Sequence, residues 1–228
     1  MEIKVLKDIL SANSQIAEQN RKLLASKRIM TINLMSSPGS GKTTLILRTA
    51  EELKGKARIA VIEGDVSSSI DAETLNQAGI AAIQINTGGA CHLDANMVNS
   101  ALPNLDLDDI DILFIENVGN LICPGGFDLG ESLRVVILST PEGDDKPHKY
   151  PLLFTQANAL VVSKTDLLPH VGFDMEAFTR VFKGLNQQAA LLAISGLTGD
   201  GIEEWGKWVM ENLNRRRTPG DTKQTDGA

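Results

Sequence analysis

Basic charge is in short supply in this chain. Its 22 lysines and arginines face 29 aspartates and glutamates, a net charge of −7, so a nucleic-acid backbone is excluded as principal partner. The one basic cluster, Arg215 to Arg217, is too short to reverse that. Long apolar runs are missing as well. None approaches the length of a membrane span, and the amino terminus has no apolar signal core, so a cytoplasmic protein is expected. Cysteine is scarce: Cys91 and Cys123 are the two in 228 residues. A structural disulfide is not expected in a reducing compartment, and the two thiols call for another explanation. Internal repeats are absent. An apolar fraction of 42% and a charged fraction of 22% suit an ordinary globular protein with one large core.

What is present alternates. Short continuous apolar runs predict strands at 29–35, 58–62, 81–85, 112–115, 135–138, 159–162 and 190–194. Helices are predicted at 42–54, 71–77, 92–102, 173–184 and 202–213. Buried strands alternating with helices predict an α/β fold, a mostly parallel central sheet with helices on both faces. In residues 1–28, Ile3, Leu6, Ile9, Leu10, Ile16, Leu23 and Leu24 fall on one helical face, predicting a helical arm that packs on the domain or on a partner. The domain itself is expected over 29–214. The tail, 215–228, offers no apolar anchor from Thr218 on and is expected to be flexible.

Ligands in such sheets sit at the carboxyl ends of strands. After the first strand the chain reads Ser36-Ser-Pro-Gly-Ser-Gly-Lys-Thr-Thr44, a phosphate loop. Gly39 and Gly41 free backbone N–H groups for a phosphate, Lys42 supplies a point charge, and the Thr43 hydroxyl is placed to ligate Mg²⁺. Ser40 and Thr44 complete the loop. Ser36 stands where the pattern usually opens with glycine, and can hold the turn if its φ stays negative. Asp65 and Asp71, around a serine-rich loop, are candidate Mg²⁺ acids, although Asp71 serves equally well at the start of its helix. Glu116, with Gly119 three residues on, resembles the switch pattern of nucleotide hydrolases, acid to Mg²⁺ and glycine amide to the γ-phosphate.

After the sixth strand come Ser163-Lys-Thr-Asp166. One carboxylate can accept from both the N1 hydrogen and the exocyclic amine of guanine, so Asp166 selects GTP, with the Lys164 stem along the base. Ser163 replaces the usual asparagine and removes an amide contact worth about 1 kcal/mol. Ser195, followed by Gly196 where alanine is more usual, fits the remaining base-side loop. Cys91 and His92 open a predicted helix, and Cys123 lies four residues beyond Gly119. Two thiolates and an imidazole suit Zn²⁺ or Ni²⁺. Three ligands do not close a tetrahedral site, so water or a second copy of the chain would complete it. On spacing alone, two buried cysteines and a helix-start histidine account for the same residues. His148 and His170 have no cysteine neighbour and read as loop residues.

Taken together, the phosphate loop, Glu63-Gly-Asp65, Cys91-His-Leu-Asp-Ala95, Glu116-Asn-Val-Gly-Asn-Leu-Ile-Cys-Pro124, Phe127-Asp-Leu-Gly-Glu131 and Glu142-Gly-Asp-Asp-Lys-Pro147 resemble the hydrogenase-maturation nickel-incorporation GTPases. The related urease-maturation GTPases carry Cys-Pro-His in the metal region and are the nearest alternative. The resemblance implies a P-loop GTPase with GTP, Mg²⁺ and Ni²⁺ or Zn²⁺ as ligands. It implies a homodimer that forms with nucleotide and metal, and a soft-metal site at Cys91, His92 and Cys123. Its implied partners are other hydrogenase maturation proteins and the hydrogenase large subunit. The amino-terminal cysteine motif and the His-rich stretch of many members are lacking, so nickel storage is not expected. With Asn120 where a catalytic glutamine would stand, slow hydrolysis is expected. Two other classes fit parts of the pattern: a redox sensor closing a Cys91–Cys123 disulfide, and a P-loop kinase with structural zinc.

Overall fold

The continuous apolar runs become seven strands of one sheet. The computed structural model describes residues 2–66 and 70–217, with side chains from Ser11 on. The strands are β1 Met30–Ser36, β2 Ile59–Asp65, β3 Ala81–Asn86, β4 Ile112–Glu116, β5 Leu133–Ser139, β6 Ala159–Ser163 and β7 Ala190–Ala193. They lie in the order β3-β2-β4-β1-β5-β6-β7, and every pairing is parallel. Central β1 pairs with β4 from Met30↔Ile112 and with β5 from Ile32↔Leu133. The connection from β4 to β5 therefore has to pass over the end of β1, where the phosphate loop begins.

Among the described residues eight α-helices accompany the sheet: α1 Glu2–Ser26, α2 Lys42–Glu52, α3 Ile70–Gln77, α4 Ala95–Ala101, α5 Lys146–Lys149, α6 Pro151–Thr155, α7 Met175–Leu185 and α8 Ile202–Arg217. Strand side chains alternate between faces. Ile32, Phe114, Val135 and Val161 meet Leu45 and Ile46 of α2 and Trp205, Val209 and Leu213 of α8. Trp205 Nε1 donates to Thr49 Oγ1 at 2.7 Å, which satisfies the indole inside the core. On the other face Met35, Val136 and Leu160 pack on Phe154, Phe178 and Phe182, while Ile62, Leu113 and Ile115 pack on Leu24 and Val98. Among the described residues no helix is long and apolar enough to cross a membrane.

Several local expectations change. β2 runs through Asp65, past the expected end at residue 62, so Glu63 to Asp65 belong to the paired strand. α4 starts at Ala95, not at residue 92, because the Asp94 side chain accepts from Met97 N at 2.8 Å and caps it there. Cys91 and His92 thus precede the helix in a loop. α8 continues through Arg217, which pairs with Asp111. α5 and α6 occupy a stretch expected to be loop, and His148 lies in α5. Residues 67–69 and 218–228, covering the serine-rich loop and most of the expected tail, lie outside the described residues.

α1 packs on the domain with an unexpected face. Its buried positions are Ala17, Asn20 and Leu24, whereas Leu23 is 38% exposed; Ile3, Leu6, Ile9 and Leu10 lie outside the described side chains. Fully buried Asn20 donates to Ala95 O at 2.9 Å and to Leu129 O at 3.0 Å, and accepts from Asn99 Nδ2 at 2.7 Å. Arg21 forks onto both oxygens of Asp128 at 2.8 and 2.7 Å. The backbone approach is equally close: a Cβ on Gly130 would sit 2.5 Å from Ala17 O.

Candidate nucleotide and metal site

β1 ends at buried Ser36, whose φ is not positive, so a side chain is tolerated there. Its hydroxyl accepts from Lys42 Nζ at 3.2 Å and donates to Ser37 O at 2.7 Å. Gly39 and Gly41 take φ of 72° and 96°, conformations that disfavour a side chain. α2 starts at Gly41 with no side-chain cap, leaving first-turn amides for an anion. Buried Ser40 donates to Ser37 O at 2.8 Å and to Glu142 Oε1 at 2.7 Å. Glu142 also accepts from Ser139 N and Oγ. Glu142 is thus a brace of the phosphate loop that the motif alone does not single out.

Behind the loop stand carboxylates. Thr43 Oγ1 donates to Glu116 Oε1 at 3.0 Å, and Lys42 Nζ lies 3.9 Å from the same oxygen. Glu63 is the register partner of Glu116 on the adjacent strand, and both are buried. Burial first, then the charge of Glu116, pushes the Glu63 carboxyl up to about 8. Burial likewise pushes Glu116 up to about 7, against the opposing pull of Lys42 and Thr43. Asp65 and Asp71 add to both shifts, which places all four acids in one electrostatic neighbourhood. Asp71 lies in the first turn of α3. Oε2 of Glu63 and Oε2 of Glu116 are buried without a partner. Orphaned hard oxygens beside a phosphate loop suit Mg²⁺, which Thr43, Glu116, Asp65 and Asp71 would hold directly or through water.

The base-side residues meet the phosphate loop around a groove of about 460 Å³ lined by Ser40, Thr44, Lys164, Asp166, Leu167 and Leu197. Lys164 takes a φ of 59° and its Nζ donates to Gly39 O at 2.7 Å. Asp166 Oδ1 accepts from buried Ser195 Oγ at 2.6 Å, and Ser195 Oγ accepts from Thr198 N at 3.1 Å. Ser163 Oγ donates to Ser40 O at 2.6 Å, a tie to the phosphate loop that its position in the motif does not announce. At Gly196 a Cβ would lie 2.6 Å from Thr44 Cγ2; glycine in place of alanine goes with this Thr44 rotamer.

The two cysteines come together. Cys91 Sγ is 2.9 Å from Cys123 Sγ and 3.6 Å from His92 Nδ1. The donors of all three residues lie within 4.8 Å of one another, the one such group among the described residues. Both cysteines are free thiols. The neighbouring thiol of Cys91 is the first cause that raises the Cys123 pKa, and burial lowers that of His92. A neutral imidazole is the ligand form, and a cation between the sulfurs would favour both thiolates. His92 packs against Phe127, with ring centroids 3.9 Å apart and planes tilted by 33°.

The amides that hold this site escape the motif reading. Asn120 accepts from Ile122 N at 2.8 Å and Cys123 N at 3.4 Å, and donates to Cys91 O at 3.4 Å. It therefore joins the two metal loops. Buried Asn117 accepts from Leu93 N at 3.0 Å and donates to Asn33 Oδ1 at 3.2 Å. Two close approaches connect the cysteine-bearing loops to the phosphate loop and to β2. A Cβ on Gly119 would lie 2.8 Å from Pro38, and one on Gly64 would lie 2.7 Å from Leu93.

Comparison with known proteins agrees with this arrangement. Residues 30–193 match the family described as CobW/HypB/UreG, nucleotide-binding domain. The chain is 47% identical over 202 residues to the hydrogenase maturation factor HypB of Escherichia coli, covering 89% of this chain and 70% of that one. Among solved structures, HypB of Archaeoglobus fulgidus superposes with a TM-score of 0.84 at 42% identity, over 90% of this chain and 100% of that one. HypB of Helicobacter pylori, described as in complex with nickel, superposes with a TM-score of 0.87 at 34% identity, over 92% and 99%. Likeness at this level across nearly the whole chain makes it a member of the HypB family of hydrogenase maturation factors, within the CobW/HypB/UreG nucleotide-binding proteins.

Proposed function

We propose that this chain is a GTP-hydrolysing metallochaperone. It takes up nickel, or zinc, through Cys91, His92 and Cys123 and, with other maturation proteins, passes nickel to the large subunit of a nickel–iron hydrogenase. One observation carries this reading: three soft donors converge within 4.8 Å on loops packed against the nucleotide side at Gly119 and Leu93. The nickel complex of the Helicobacter pylori relative supports the choice of metal. Asp166 in the lining of the groove beside the phosphate loop supports guanine.

In this mechanism Lys42, Thr43 and the Gly39, Gly41 and Gly119 amides bind the phosphates. Mg²⁺ neutralises charge there when bound. Contact of Gly119 with the γ-phosphate moves the segment that Asn120 ties to Cys91 and Cys123, so nucleotide state changes metal geometry. By reciprocity metal changes nucleotide affinity. Asn120 is engaged with the metal loops and is unavailable to orient water, so hydrolysis is slow, below the ~1 s⁻¹ typical of good enzymes. Cys91 is exposed, and a second copy can add the ligands that complete the shell, giving a metal- and nucleotide-dependent homodimer.

The test is a nickel and zinc titration of wild type and Cys123→Ala, with GDP and with a non-hydrolysable GTP analogue, mass being measured alongside. Wild-type affinity is expected to differ between the nucleotides, and the variant to lose at least about tenfold in affinity, as loss of one ligand implies. Equal nickel affinity with GDP and with the analogue would end the coupling. The 2.9 Å sulfur separation also favours a second reading, a reversible disulfide; metal binding that is absent under reducing conditions would select it.

A further inference from the structure

Glu63 has no assigned task in the scheme above, yet it is more deeply buried than Asp65. It is 2% exposed, and its Oε2 has no partner. It stands beside Glu116 in parallel register, and register partners in a parallel pair point to the same face. Glu116 carries a second orphaned oxygen. The cation these two acids share is Lys42, 3.9 Å from Glu116. Two buried carboxyls beside one ammonium, each with an orphaned oxygen, are costly in a low-dielectric setting. Apolar residues would fill this place more cheaply, so the carboxyl pair calls for a ligand that rewards it.

We infer that Glu63 makes nucleotide binding depend on magnesium. Mg²⁺ dehydrates reluctantly and keeps several waters at such sites, and the orphaned Glu63 oxygen is an acceptor for them at the inner end of the acid group. Glu63 is thus a selectivity residue for the metal-bound nucleotide rather than a member of the switch. This inference rests on the nucleotide reading above.

The test compares GDP affinity with Mg²⁺ and with EDTA, for wild type, Glu63→Gln and Glu63→Asp. Glutamine keeps the shape and removes the charge. It is expected to weaken binding in Mg²⁺ and leave it unchanged in EDTA, lowering the ratio of the two affinities about tenfold, the effect of roughly one charge interaction. Aspartate keeps the charge and is expected to stay near the wild-type ratio, which preserves the test if the glutamine variant folds poorly. Parallel weakening in both conditions, with an unchanged ratio, would mean a purely structural role and overturn the inference. Wild type binding GDP in neither condition would overturn the nucleotide reading itself.

Discussion

Gly119 lies against Pro38 with no room for a methyl group. The clash at 2.8 Å includes Pro38 backbone atoms, so no rotamer change relieves it, and overpacking of this kind costs about 1–3 kcal/mol. Gly119→Ala is therefore expected to weaken GDP and nickel binding together, measured by calorimetry for both ligands. Gly125→Ala, whose nearest neighbour is Leu153 at 3.4 Å, should change neither. Glu63 predicts a pH dependence. Its folded pKa of about 8 stands above the ordinary 4.5, so the folded state holds a proton that the unfolded chain releases first. Stability without Mg²⁺ should then fall as pH rises from about 4.5 to about 8, by on the order of a few kcal/mol. Thermal melts at pH 5 and pH 8 check this, and Glu63→Gln should flatten the slope. Lys42, Asp166, Cys91 and Cys123 could be singled out in the sequence because a proposed chemistry limits the residue types, and the fold brings Cys91 and Cys123 together. Asn117, Asn120, Glu142 and Ser163 were not, since single polar side chains bonding to distant backbone leave no periodic trace.

Helix α1 shows the same contrast at the level of elements. An apolar stripe announced the helix, but its tightest contacts are polar and depend on where the chain returns. Asn20 and Arg21 hold Ala95, Asp128 and Leu129, positions three residues after His92 and five to six after Cys123. Asn20→Ala would orphan two buried carbonyls, a loss of about 1–3 kcal/mol. It is expected to lower the melting temperature and also to shift the sulfur-to-nickel charge-transfer band, because both metal loops lose an anchor at their outgoing ends. An unchanged band in a folded variant would reduce α1 to packing. The start of α4 was legible in principle, since Asp94 directly before Ala95 is a favoured cap; the apolar pattern alone placed it too early. The strands were read well because buried parallel strands are continuous apolar runs, though each of β1, β2, β4, β5 and β6 extends into polar residues at its carboxyl end, where the site lies.

For the molecule as a whole, strand order has a consequence in time as well as in space. β1 finds its two neighbours only in residues 112–116 and 133–139, while β2 and β3, which follow it in the chain, lie on the far side of β4. A chain emerging from a ribosome at about 5–20 residues per second therefore completes the phosphate loop long before it completes the strand pairing that braces it. Ser163 to Ser195, which close the groove beside the phosphate loop, come later still. Such long-range pairing folds slowly because loop closure must precede contact. Nucleotide can thus stabilise this protein only once most of it has been made, and the half-made sheet must be kept from aggregation by other means.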